Sequence, residues 1–173
     1  MTQATPIRLW HPSFDAYHCT FRFLRLLSFE KNRNLSVETL NILDFYLLYP
    51  FLLHRASMPQ EIRRVFRSLH IERPTDQFVQ LPSEKSLFRD IAVFQKVAGT
   101  NLVAKGLLSR EQYLSGTACL QIDEMPDSLH ATLRETNSRE GAFMSFLVDE
   151  FGTIELEGSR GLRALTGLVR RQP

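Results

Sequence analysis

Residues 40–53, Leu-Asn-Ile-Leu-Asp-Phe-Tyr-Leu-Leu-Tyr-Pro-Phe-Leu-Leu, form the longest apolar stretch of the chain, and any fold must cover it on nearly every side. Asn41, Asp44 and Pro50 interrupt it. It also falls short of the roughly 20 apolar residues that a membrane-spanning helix requires, so it reads as a core helix. Its start is marked by Ser36 as a cap, by Leu35 placed to staple against Leu40, and by Glu38 near the positive helix end. Pro50 cannot donate to the helix ladder and disfavours helical geometry at Tyr49. The helix therefore ends there or kinks into a short second piece.

Other elements arrange themselves around this one. Residues 13–29 carry Phe14, Tyr17, Phe21, Leu24 and Leu27 or Ser28 near helical spacing, which predicts an amphipathic helix packed on the central one. Ser57-Met58-Pro59-Gln60 reads as a capping box opening a short helix over 58–70. Pro74, Asp76 and Pro82 break the chain into a loop before a longer helix over 86–105, which Gly106 ends. Two readings then stay open: residues 109–112 open a short helix, or Leu107-Leu108 opens a strand. Ala118, Leu120 and Ile122 alternate with Thr117, Cys119 and Gln121, which predicts a strand with one buried face and a hairpin partner within 107–113. Asp127 caps a further helix to about Glu150, stopped at Phe151-Gly152. Residues 153–156 read as extended, and 162–168 as one more short helix.

The expected fold class is mainly α: a winged-helix-like module of helices plus a small β-hairpin over 36–122, with flanking N- and C-terminal helices. The C-terminal helical extension covers 123–173, and residues 1–173 form one domain. Hydrophobic content of 43% and charged content of 23% are ordinary for such a domain. A chain of this length buries roughly 70% of its unfolded surface and needs no metal or disulfide to fold. Cys19 and Cys119 belong to no C-x-x-C pair and suit free thiols in a reducing compartment. The first eight residues contain no apolar core of a secretory signal, so a cytoplasmic location is expected.

The formal net charge of +2 conceals strong segregation. Residues 1–120 hold 15 Lys and Arg against 10 Asp and Glu, whereas 121–157 hold 2 against 9. The last 16 residues add Arg160, Arg163, Arg170 and Arg171. Such an arrangement favours oriented docking between complementary surfaces. The densest basic cluster is Arg55, Arg63, Arg64, Arg67 and Arg73, partly offset by Glu61 and Glu72. On a helix, Arg63, Arg64 and Arg67 lie on one side while Ile62, Val65, Phe66 and Leu69 point inward. If the module binds DNA, these arginines, with Lys96 and Lys105, are the candidate phosphate contacts. Arginines on an exposed helix face more commonly serve solvation and local ion pairing, and no Arg, Asn or Gln set is marked out as a base reader.

Signals of catalysis are thin. Gly99-Thr100-Asn101-Leu102-Val103-Ala104-Lys105-Gly106 lacks the order of a phosphate-binding loop. His11, Asp15 and His18 have a spacing that suits a metal on one helical face, but Pro12 makes His11 pre-helical and favours surface or capping roles. Cys119 and His130 have no orienting third group, and Asp123, Glu124 and Asp127 fit capping and solvation better than a metal site. No enzyme, cofactor or metal is expected.

Leu43-Asp44-Phe45-Tyr46-Leu47-Leu48-Tyr49-Pro50-Phe51-Leu52-Leu53, followed by Leu102-Val103-Ala104-Lys105-Gly106-Leu107-Leu108, resembles the small middle components of bacterial ABC-three-component systems. The similarity covers roughly residues 36–122, and its motifs are hydrophobic core motifs that mark membership more than mechanism. These systems are anti-phage or anti-plasmid assemblies. Lamassu-type members combine such a subunit with a coiled-coil ABC ATPase of the SMC kind and an effector, often a nuclease. The resemblance implies a non-catalytic subunit bridging an SMC-like ABC ATPase and a nuclease effector, with no membrane partner. On that expectation Asp149, Glu150, Glu155, Glu157, Arg160 and Arg163 are candidate docking residues, and Arg63, Arg64 and Arg67 touch DNA held by the ATPase. The competing expectation is a free-standing winged-helix DNA-binding transcriptional regulator that places the 86–105 helix, with Lys96 and Lys105, in the major groove.

Overall fold

A computed structural model describes residues 14–29, 34–73 and 82–169. The first helix, α1 (Ala16–Ser28), starts where Asp15 turns back on its own backbone, Oδ1 accepting from the amides of Tyr17 at 2.7 Å and His18 at 3.4 Å. Strand β1 (Asn34–Ser36) leads directly into α2 (Val37–Leu48). Ser36 caps α2 as its sequence predicts, Oγ accepting from the Thr39 amide at 2.9 Å. The helix stops before Pro50, and the chain tightens into a 3-10 turn over Pro50–Arg55, which is the short second piece. Leu40, Ile42, Leu43, Phe45 and Tyr46 have no exposed surface, so α2 is enclosed nearly all round.

Helix α3 (Gln60–Ser68) departs from expectation at its start. No side chain caps it, because Pro59 occupies the cap position with φ −52° and ψ 150°. The Ser57 amide is engaged elsewhere, donating to the Leu165 carbonyl at 2.9 Å. Helix α4 (Glu84–Ala104) is capped by Ser83, whose Oγ accepts from the Ser86 amide at 3.2 Å. It lies along α1 and against α2. The Tyr113 ring crosses α4 at Gly99, where a Cβ would collide with the phenol.

Both open readings after α4 are partly realised. Ser109 caps a short helix, α5 (Arg110–Leu114), and Leu108 makes a single antiparallel bridge to Leu120. Strand β2 (Thr117–Cys119) forms with Ala118 buried. Its main partner is not the expected neighbour but β1, antiparallel, with Asn34 opposite Cys119, Leu35 opposite Ala118 and Ser36 opposite Thr117. The stretch expected to pair has wound into α5, while Leu35 offers β2 a buried side chain to set against Ala118.

Helix α6 (Asp127–Arg139) starts at Pro126, so Asp127 sits in its first turn instead of capping it. It does not run on to Glu150. The chain breaks at Glu140, resumes as α7 (Gly141–Ser145), and widens into a π turn over Phe146–Glu150 before a 3-10 turn at Phe151–Thr153. The widened turn lets consecutive Phe146, Leu147 and Val148 all face the core. Residues 154–161 form no strand. Helix α8 (Leu162–Thr166) ends at Gly167, whose φ of 64° is left-handed.

Aromatic rings join the layers. Tyr46 meets Phe151 at 5.5 Å, Phe45 meets Phe88 of α4 at 5.5 Å, and Phe66 of α3 meets Phe146 at 5.5 Å. The protein is mainly helical with one small antiparallel ribbon. Among the described residues no helix is long and apolar enough to cross a membrane.

Candidate functional site

The basic face is built by α3. Phe66 anchors that helix in the core, stacking edge-on with His54 at 4.9 Å as well as meeting Phe146. Ile62, Val65 and Leu69 pack beside it. The opposite side then presents Arg63, Arg64 and Arg67, all exposed. Arg63 is steadied by donating Nη2–H to the Met58 carbonyl at 3.3 Å. Among the described residues no salt bridge engages Arg63, Arg64, Arg67 or Arg73. Arg63, Arg67 and Arg73 line a cleft of about 180 Å³ whose other walls include His54, Met58 and Phe66. The His54 ring is held by donating Nε2–H to the Ile71 carbonyl at 2.9 Å.

Arg55 belongs to the same cluster in sequence but turns to Glu84 at the start of α4, 3.4 Å away. Lys96 and Lys105 are exposed on α4, the first near its middle and the second at its C-cap. They lie on a different helix from the three arginines.

The acidic segment is more divided than its sequence suggests. Glu150 and Glu155 are exposed, with no salt bridge among the described residues. Asp149 is half-buried and accepts from Ser145 Oγ at 3.0 Å. Glu157 pairs with Arg163 at 2.9 Å, and Arg163 also holds Glu38 at the start of α2. Arg160 is exposed. The structure thus brings Glu157 and Arg163 together and leaves Glu150, Glu155 and Arg160 facing solvent.

A buried polar cluster escapes the sequence reading, in which Asp44 is only an interruption. Asp44 is fully buried and accepts from Arg22 Nε at 2.6 Å, Arg22 Nη2 at 3.3 Å and Gln95 Nε2 at 2.9 Å. The Cys19 thiol donates to the same carboxylate at 3.7 Å. This joins α1, α2 and α4 at one point. Burial pushes the Cys19 thiol well above its ordinary range, and the neighbouring Asp44 charge adds to that. For Arg22, burial works against the charge but Asp44 outweighs it, so the guanidinium is held above its usual value. A lone acid inside an apolar helix is the available signal, because such a charge must find a partner. A second polar tie joins α1 to α6, with Arg25 donating to Asn137 at 3.0 Å and to Glu140 at 2.5 Å.

Of the metal reading, His11 lies outside the described residues, Asp15 caps α1 and His18 is exposed. Cys119 sits in β2 and His130 in α6. Among the described residues no group of three or more His, Cys, Asp and Glu side chains is placed to hold a metal.

Comparison with known families finds a match over residues 8–172 to the family described as ABC-three component (ABC-3C) system Middle Component 5. No curated protein and no solved structure matches the chain.

Proposed function

The chain belongs to the ABC-three component (ABC-3C) system Middle Component 5 family, and from that premise we propose that it is a non-catalytic adaptor bridging an SMC-like ABC ATPase and a nuclease effector in a Lamassu-type defence complex. A middle component has the other components of its system as partners. The observation that carries the finer reading is exposed charge of opposite sign on neighbouring elements, α3 and the π turn packed against it with the segment that follows. Arg63, Arg64 and Arg67 face outward on α3, while Glu150, Glu155 and Glu157 are exposed on the acidic C-terminal segment. Two surfaces of opposite sign suit two different partners and fix which goes where.

In this reading the acidic side, Asp149, Glu150, Glu155 and Glu157 with Arg160, docks one protein partner. Arg163 holds that segment in place through Glu38 and Glu157. The basic side touches the phosphates of DNA held by the ATPase, with Lys96 and Lys105 as outlying contacts. The module over residues 36–122 acts as a winged-helix-like core, 123–173 as its extension, and the whole as one cytoplasmic domain. The single bridge of Leu108 to Leu120 after α4 supports that reading, whereas β1 pairs with β2 from the edge of the module.

Co-expression with the other components of its system, followed by affinity purification and mass spectrometry, tests the proposal. Stoichiometric recovery of an SMC-like ATPase and an effector is expected. Recovery of the chain alone, with sequence-selective DNA binding, replaces the adaptor with a free-standing regulator.

A further inference from the structure

Five large hydrophobic side chains are exposed among the described residues: Phe14, Tyr17, Val93, Val97 and Leu114. Single exposed apolar side chains are ordinary, so their placement matters more than their number. Phe14 lies just before α1, Tyr17 in its first turn, Val93 and Val97 on α4 and Leu114 on α5. Phe14 lies against Phe94 of α4, ring centres 5.9 Å apart. Leu114, 77% exposed, shares an open cleft with Thr100, Val103 and Ala104. The strip therefore follows α4 from Phe94 towards Leu114.

Along α4 the exposed residues Val93, Val97, Thr100 and Ala104 are spaced by four, three and four. That is the spacing of a seam that receives another helix. The seam spans about 16 Å at about 1.5 Å per residue. The other side of α4 is already committed, since Leu87, Ile91, Gln95, Ala98 and Leu102 are buried. Arg89 and Lys96 flank the seam on one edge, and both are exposed. Asp90, beside Arg89 at 3.8 Å, is the acidic residue on this side of α4, and Glu111 of α5 lies near its far end.

We propose that this face of α4 seats an amphipathic helix of a protein partner, with apolar residues at seam spacing and carboxylates opposite Arg89 and Lys96. The inference rests on the adaptor reading, names the kind of segment one partner supplies, and assigns Lys96 to that segment in place of DNA. Charge argues against a second copy of the chain as occupant. In the antiparallel register that lays Val93 on Ala104 and Val97 on Thr100, Lys96 falls opposite Asn101 and Arg89 opposite Leu108. Parallel copies would put those cations opposite Phe94 and Asn101, and neither arrangement supplies a carboxylate.

A synthetic three-heptad peptide with Leu at the seam positions and Glu at the flanks is the probe, titrated against the full chain by fluorescence anisotropy. Saturable binding is expected, at least ten-fold weaker for the same peptide with Lys at the flanks. It is also expected to be at least ten-fold weaker for the Val93→Glu/Val97→Glu double variant. Both positions are exposed, so the variant is checked for unchanged circular dichroism and melting before use. No binding of the Glu peptide, equal binding by the double variant, or equal binding of the Lys peptide overturns the proposal. So does self-association of the chain that disappears in the double variant, which would assign the seam to a second copy. Co-purification reads the adaptor role separately. If wild type and double variant recover the system's components equally, the seam falls and the adaptor stands; if neither recovers them while the Glu peptide binds wild type alone, the reverse holds.

Discussion

Arg163 closes on Glu38 with two bonds of 2.6 Å, Nε to Oε1 and Nη2 to Oε2, across 125 residues of sequence. The planar guanidinium matches the carboxylate in a way an ammonium cannot. Arg163→Ala should therefore lower Tm, and Arg163→Lys should recover only part of the loss. Adding Glu38→Gln to Arg163→Ala should lower Tm little further, because both changes break one interaction. Scanning calorimetry on the four proteins reads this, and a Lys variant as stable as wild type would show that charge alone suffices.

The Asp44 cluster carries a larger effect. Asp44→Ala takes from Arg22, whose side chain is only 10% exposed, the buried carboxylate that it grips through Nε and Nη2. Breaking such a pair costs about 3–5 kcal/mol. It also removes the acceptor used by Gln95 and Cys19. Replacing both ions with apolar residues of similar volume, Asp44→Leu with Arg22→Met, should cost much less than Asp44→Ala alone. Urea unfolding at fixed pH measures the three, and equal losses in the single and double variants would overturn this account.

Alkaline pH should destabilise the protein through two buried acids. Burial, with Asp44 second, raises the Cys19 thiol above its unfolded value of 9.0, and burial raises the Tyr46 phenol above 10.0. Both groups therefore stay protonated in the folded chain after they have begun to ionise in the unfolded one. Their contribution is complete below the unfolded values and is lost progressively as pH rises above them. Stability measured in reducing buffer should fall from about pH 9 upward, with a gentler fall in Cys19→Ala between 9 and 10. A flat profile from pH 8 to 11 would contradict the burial of both groups.

Phosphate contact by α3 has its own signature. Substituting Arg63, Arg64 and Arg67 by Ala should lower DNA affinity alike for all sequences. It should also reduce the slope of log affinity against log salt by about 3, close to one unit per lost contact. Electrophoretic mobility or anisotropy titrations at several salt concentrations provide the measurement. An unchanged slope would place DNA elsewhere or nowhere on this chain.

The parts of the fold legible in the sequence are those set by local rules. Ser36 caps α2, Pro50 ends it, and Ala118 lies buried in a strand, each following from residues within one or two turns. What was illegible depends on distant partners. Nothing near Thr117 announces that Asn34–Ser36 will pair with it, and nothing near Asp44 names Arg22 over Arg25 or Gln95 over Lys96. The π turn at Phe146–Glu150 was hidden for the same reason, because a continuous helix satisfies its local pattern equally well. At the candidate site, the exposed arginines of α3 were legible from amphipathic spacing. The engagement of Arg163 with Glu38 was not.

The register of β1 against β2 bears on how the chain is made. Leu35 waits for Ala118, which leaves the ribosome about 4–17 s later at about 5–20 residues per second. For most of that interval α2, apolar on almost every side, has emerged without the whole of α4, and throughout it without the ribbon that later helps enclose it. A nascent chain in that condition carries a half-covered apolar helix, so α2 is enclosed only as the later helices emerge.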